Sequence, residues 1–223
     1  MTHTQNPLLD FTDLPRFDLI QPEHVKPAIT QLLADGRALV EQLTAETTPA
    51  TWADFAGPLG DGLEGFGRAW GIVGHLHSVN DVPAWREAYN EMLPEVSRFY
   101  TELGQNLALF DKYRALKASP AYATLSAEQK KIVDNEIRDF RLGGAELPED
   151  QKPRFQAIME ELSQLAAKFS ENLLDATNAF AEVVTDEAQL AGLPDYAREA
   201  AREVAEKAGV DGWQFTLHAP SYG

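Results

Sequence analysis

Apolar residues recur at intervals of three and four along most of this chain, the period of helices that bury one face. Ile29, Leu32, Leu33, Gly36, Leu39, Val40 and Leu43 make the first stripe, with Pro27 in its first turn, where the missing N–H is not needed. Trp52, Phe55, Leu59, Leu63, Phe66, Trp70, Val73 and Leu76 make the second. A third helix is predicted from Pro83 to Lys117, presenting Trp85, Tyr89, Met92, Leu93, Val96, Phe99, Leu103, Leu107, Phe110 and Tyr113, with a kink at Pro94. An aromatic stripe of this kind is core rather than a ligand platform. Residues 117–125, which contain Pro120, read as a loop.

Ser126 and Gln129 have capping-box spacing, and Ile132, Val133, Ile137 and Phe140 follow as a buried face. Asp134 and Arg138 are placed to pair at i,i+4, and Gly143-Gly144 stops the helix. From Pro153 to about Val183 the stripe Phe155, Ile158, Met159, Leu162, Leu165, Phe169, Leu173 and Phe180 predicts the longest helix, hairpinned against the one before it. The pattern then changes. A short strand near residues 180–185, a helix opened by Gly192-Leu193-Pro194 and closed by Gly209, and an alternating strand Trp213 to His218 form one small element whose strands pair across the helix.

The fold class is therefore mainly α, with long antiparallel helical hairpins and a small α+β element near the C-terminal end. The predicted organisation is an extended arm over residues 1–20, a helical domain over 21–183, and a strand-helix-strand element over 184–223. That last strand leaves backbone groups unpaired, so the expectation is that it leads into a missing C-terminal region, with Trp213, Phe215 and Leu217 exposed by the loss and prone to self-association.

The second helix holds seven glycines, Gly57, Gly60, Gly62, Gly65, Gly67, Gly71 and Gly74, each disfavoured by about 1 kcal/mol against Ala in a helix interior. Gly60, Gly67, Gly71 and Gly74 share one face and are expected to admit a close backbone. A phosphate-binding loop is excluded, since no strand precedes the glycines and no Gly-Lys-Ser/Thr ends them.

Charge narrows the partners. Nineteen Lys and Arg against 35 Asp and Glu give a formal net charge of −16, which repels nucleic acid and anionic membrane alike. There is no cysteine, so disulfides, thiolate metal sites and thiol nucleophiles are excluded. The first seven residues have neither the basic cluster nor the apolar run of a secretory signal, and a soluble, cytoplasmic protein is expected. Five histidines, His3, His24, His75, His77 and His218, lack metal-ligand spacing; His75 and His77 stand about 200° apart on a helix, and no H-E-x-x-H occurs. No Gly-x-Ser-x-Gly turn is present either, so the residues by themselves assign no catalytic and no metal-binding position.

A set of short segments, in order along nearly the whole chain, resembles the N-terminal region of the thimet-oligopeptidase-like zinc metallopeptidases. They are Asn6-Pro7-Leu8-Leu9, Pro22-Glu23-His24-Val25, His75-Leu76 with Ser78-Val79, Arg86-Glu87-Ala88-Tyr89, Tyr122-Ala123-Thr124-Leu125, Val133-Asp134-Asn135, Asn172 with Leu174-Asp175-Ala176-Thr177, Val184-Thr185-Asp186-Glu187-Ala188 with Leu190-Ala191-Gly192, and Pro220-Ser221-Tyr222. The resemblance implies one wall of a deep channel that admits short, unfolded peptides. It also implies that zinc, the general-base Glu and the H-E-x-x-H motif lie in a C-terminal half beyond this chain, where metal-bound water would attack the scissile carbonyl. This portion alone is then inactive and binds no zinc, and no site residue carries over. The alternative is a helical interaction or scaffold module without catalysis; a complete small enzyme working through clustered carboxylates has no spacing to support it.

Overall fold

The computed structural model describes residues 6–80, 82–218 and 221. Among these residues eight helices and two short strands follow one another, in agreement with a mainly α class and one small α+β element. They fall into two compact units, residues 1–164 and 165–223, which divide inside a long helix.

In the first unit, residues 6–24 carry two tight turns, Pro7–Leu9 and Pro22–His24. Asn6 accepts from the Leu8 N–H at 3.0 Å and donates to the His24 carbonyl at 2.8 Å, tying the two turns together. Leu8 and Ile20 are thereby delivered into a core with Val25, Ile29 and Leu33 of α1 (Val25–Thr44), Phe66 and Val73 of α2 (Gly57–Val79), and Trp85, Met92, Val96 and Phe99 of α3 (Pro83–Gly104). A second core joins Val40 and Leu43 of α1 and Phe55, in the wide turn before α2, to Leu109, Phe110, Tyr113 and Leu116 of α4 (Leu107–Ala118) and Val133, Ile137 and Phe140 of α6 (Ala127–Leu142). α1 packs on α2 and runs through both cores.

Three expectations change here. The third predicted helix is two: α3 continues through Pro94 but stops at Gly104, and the Asn106 side chain accepts from the Leu109 N–H at 3.0 Å to start α4. The break lies where Gly104 meets Gly143 at the end of α6; a Cβ on Gly143 would stand 3.2 Å from the Gly104 Cα. Two backbones pass each other there, which a side chain would prevent. The predicted loop around Pro120 is a short helix, α5 (Pro120–Thr124), begun by that proline. Asp134 does not pair with Arg138: it binds Lys117 at 2.7 Å and accepts from the Tyr122 hydroxyl at 3.1 Å, while Arg138 binds Asp139.

The capping box of α6 forms as predicted, with Gln129 N–H to Ser126 Oγ at 3.2 Å and Ser126 N–H to Gln129 Oε1 at 3.0 Å. α6 then packs on α4, and Ile132 of its predicted buried face is exposed; α7 (Lys152–Ala179) follows. No residue of α7 is buried.

The second unit begins within α7. Strand β1 (Glu182–Val184) pairs antiparallel with β2 (Trp213–Phe215), Val183 opposite Gln214. Between them a turn capped by Asp186 leads to α8 (Asp195–Ala208), which packs on β2 and ends at Gly209 with φ of 71°. At Gly212 (φ 99°) a Cβ would collide with the Val184 carbonyl oxygen, so the strands close only over glycine. Leu190, Ala201 and Ala205 are the buried residues described in this unit.

Candidate functional site

The glycine-rich helix is the natural place to look for a working surface. Gly60, Gly67, Gly71 and Gly74 do not admit another backbone: a Cβ on any of them would meet nothing within 4 Å. The close approaches are made by other glycines and by side chains. Leu39 of α1 lies over Gly62, and the Phe11 ring lies 3.0 Å from a Cβ placed on Gly65, held there by Arg68 donating to the Phe11 and Asp13 carbonyls. α2 thus uses part of its glycine content for packing and leaves a smooth, open face.

Beside that face, aromatic rings bridge α2 and α3. Tyr89 stacks on Trp70 at 4.9 Å and 10°, and His77 stacks on the other side of Tyr89 at 4.3 Å and 11°. The signal for this triple stack was present in sequence as Trp70 and His77 two turns apart on one helix, but the partner ring is non-local. His75 meets the edge of Phe17 at 5.6 Å, and the His24 Nδ1 accepts from the Gln21 N–H at 3.0 Å. His3 lies outside the described residues, as does most of Pro220-Ser221-Tyr222. No group of three His, Asp or Glu able to hold a metal occurs among the described residues.

Among the described residues, each unit holds a groove of ligand size. In the first unit, about 260 Å³ between α1 and α3 is floored by Phe99 and rimmed by Arg37, which grips Glu102 at 2.9 Å. In the second, about 420 Å³ between α8 and β2 is lined by Leu193, Tyr196, Ala197, Val204, Phe215 and His218, among others, an apolar trough with few polar groups. Glu41 of α1 and Glu102 of α3 both line the first groove, Glu102 being taken up by Arg37, and the second groove has no carboxylate among its lining residues. Nearby acids pushed in opposite directions, Glu136 upward by burial and Asp139 downward by its bond to Arg138, sit on α6 outside both grooves. Among the described residues, the acids with opposed shifts on α6 do not face a groove, so they are not poised around a substrate. Nor is any helix among the described residues long and apolar enough to cross a membrane.

Comparison with known proteins supplies what the geometry leaves open. Residues 29–152 match the family model for the N-terminal domain of neurolysin/thimet oligopeptidase. Oligopeptidase A of Salmonella typhimurium and of Escherichia coli are each 44% identical over 217 residues, which is 97% of this chain and 32% of those proteins. A probable cytosolic oligopeptidase A of Arabidopsis thaliana is 36% identical over 228 residues, 99% of this chain and 32% of that protein. The chain spans about a third of the length of the curated relatives it matches.

Proposed function

Because the chain belongs to the neurolysin/thimet oligopeptidase family through its N-terminal domain, we propose that it is the wall-forming portion of a cytoplasmic, zinc-dependent oligopeptidase acting on short, unfolded peptides. The observation that carries this is identity of 44% over nearly the whole chain with proteins named oligopeptidase A. The helical body suits a wall. Two apolar cores share α1, so the unit can hold its shape while peptides pass, and the open face of α2 offers backbone-smooth surface flanked by the Trp70, Tyr89 and His77 rings.

The residues described here do not fit zinc: no cluster of three donors exists among them. In this reading the metal and the reacting groups come from the part of the protein outside the chain, and the chain's own contribution is to enclose and orient substrate and keep bulk water and folded proteins away.

The test compares two proteins. The 223-residue chain is expected to retain no stoichiometric zinc after dialysis and to leave short peptides intact. The chain extended by its coding sequence to the length of the relatives is expected to cleave them, with the activity abolished by a chelator. Zinc or cleavage in the short chain, or neither in the extended one, overturns the proposal, and the second result makes a helical interaction module the better reading.

A further inference from the structure

Asp-Gly occurs three times in the chain, at 35–36, 61–62 and 211–212. Glycine has no side chain to shield its amide nitrogen, so in this dipeptide that nitrogen can reach the carboxyl carbon of the preceding aspartate. The fold treats the three pairs differently. Asp35-Gly36 lies inside α1 and Asp61-Gly62 inside α2, where the glycine N–H is committed to the carbonyl four residues back and the backbone is fixed. Both glycines are also crowded: a Cβ on Gly36 would stand 2.7 Å from the Phe99 Cζ, and one on Gly62 would run into Leu39. Asp211-Gly212 lies instead between α8 and β2, just past the helix cap. There Gly209 N–H donates to the Glu206 carbonyl at 3.1 Å and Val210 N–H to the Ala205 carbonyl at 3.0 Å, and the cap ends. Asp211 is exposed, and among the described residues neither its carboxylate nor the Gly212 N–H has a hydrogen-bond or ion-pair partner.

We propose that Asp211-Gly212 is a site of spontaneous backbone modification, converting to isoaspartate through a cyclic imide, and that the product opens the small sheet. The Gly212 nitrogen attacks the Asp211 Cγ and forms an N–Cγ bond, while one carboxyl oxygen leaves as water with the amide proton and the acid proton. Water then opens the ring. Cleavage of the bond to Cγ restores aspartate; cleavage of the bond to the α-carbonyl leaves the chain running through Cγ, with a free α-carboxylate. Atoms and charge are conserved over the two steps, and the main chain is one methylene longer. The site has no room for it. A Cβ on Gly212 (φ 99°) would already collide with the Val184 carbonyl oxygen, and the next residue, Trp213, is the partner of Val184 in the ladder. The added methylene moves Trp213 out of register, and with it Phe215 and Thr216, which line the trough beside α8. Neither core of the first unit contains any of these residues.

The test ages the purified chain at physiological temperature and neutral pH, folded and in urea. Isoaspartate is counted by enzymatic methylation of its free α-carboxylate and located by peptide mapping. In the folded chain it is expected to form at 211 about tenfold or more faster than at 35 or 61, since those helices must open before their pairs can react. In urea the three rates are expected to converge, because only the fold separates them. Asp211→Glu, which would have to close a larger ring, is expected to remove the signal at 211. In chains carrying isoaspartate at 211, hydrogen exchange of the Trp213–Phe215 amides is expected to rise about tenfold or more over fresh chain, with α1 unchanged as the internal control.

Equal rates at the three pairs in the folded chain overturn the proposed site. So does folding that slows 211 as much as it slows 35 and 61, which would mean that the turn is held as firmly as a helix. Isoaspartate at 211 with unchanged exchange in β2 overturns the opening of the sheet. Exchange that rises equally in aged Asp211→Glu does the same, since it assigns the loosening to another lesion.

Discussion

Phe99 on α3 and Phe169 on α7 stand on long helices with similar three-and-four spacing, yet one is 1% exposed and the other 70%. Phe99 lies edge-on to Phe66 at 5.2 Å and 82° and fills the space over Gly36, whereas Phe169 has no such enclosure. The first unit joins its stripes into two cores, and the second unit, from Leu165 onward, buries only Leu190, Ala201 and Ala205 among its described residues. An amphipathic pattern therefore reports that a helix has a face to bury, not that a partner is at hand to bury it.

The largest effect that tests this contrast is truncation of the two rings. Phe99→Ala should destabilise the chain by about 3–5 kcal/mol, the range for emptying a packed aromatic site. Phe169→Ala should change stability by no more than about 0.5 kcal/mol, as an exposed substitution does. Urea unfolding followed by tryptophan fluorescence reads both. Trp213 is the one tryptophan of the second unit, with Trp52, Trp70 and Trp85 all in the first, so variants that keep only Trp213 report the second unit separately. Equal losses for the two phenylalanines would mean that α7 is packed after all.

A smaller effect comes from glycines of α1 and α2. A Cβ at Gly36 would stand 2.7 Å from the Phe99 Cζ, inside a ring contact that cannot relax without disturbing Phe66. Gly36→Ala is expected to lose up to about 2 kcal/mol, overpacking outweighing the gain in helix propensity. Gly71→Ala meets open space and is expected to gain about 0.5–1 kcal/mol. Thermal melts of the two variants decide it, and stabilisation by both would place Phe99 in a looser core.

How much of this was legible in the sequence differs between the same two regions. The stripes of α1 and α2, the Ser126 capping box and the strand-helix-strand element are set by local spacing and turn chemistry, and each forms, though Trp52 and Phe55 fall in the wide turn before α2 and the last strand spans Trp213–Phe215 rather than reaching His218. What failed was non-local. The stop at Gly104 depends on a backbone some forty positions further along the chain, at Gly143. Asp134 chose Lys117 over Arg138 because α4 delivers that ammonium to within 2.7 Å. The exposure of the α7 stripe could not be foreseen from its spacing, which does not say what stands opposite a face; within the first unit, Glu160 and Ser163 on another side of that helix bind Arg98 and Ser97. Exposure was expected around Trp213, Phe215 and Leu217; of these Leu217 is exposed and the other two half-buried, and the larger apolar face lies on α7. The candidate site was less legible still, because the Trp70, Tyr89 and His77 stack exists only once α2 and α3 have met.

Burial in the first unit is not uniformly favourable, and α6 offers the finest test of that. Glu136 is half-buried next to Tyr113, with Asp139 one turn on; loss of hydration, and then the Asp139 charge, push its carboxyl above the ordinary value. A group whose folded pKa lies above its unfolded one contributes stability that is fully present below the unfolded pKa and is lost as pH rises through the folded pKa. Glu136→Gln should accordingly raise Tm at pH 7, and the gain should vanish below about pH 4, where the carboxyl is protonated in both states. Asp134, on the same helix, is shifted the other way, first by its bond to Lys117 and also by the Tyr122 hydroxyl. Its contribution is present above the unfolded pKa and is lost as pH falls through the lowered folded pKa, so Asp134→Asn should lower Tm at pH 7 and have no effect in strong acid. Because the Lys117 pair is exposed to solvent, this is the smaller of the two effects and should shrink further in salt. Melts of the wild-type chain and both variants from pH 3 to 7 are expected to diverge in opposite directions as pH rises. Curves that move together would mean that Glu136 is hydrated as freely as Asp134 and that α6 seals the second core less tightly than Tyr113 and Phe140 indicate.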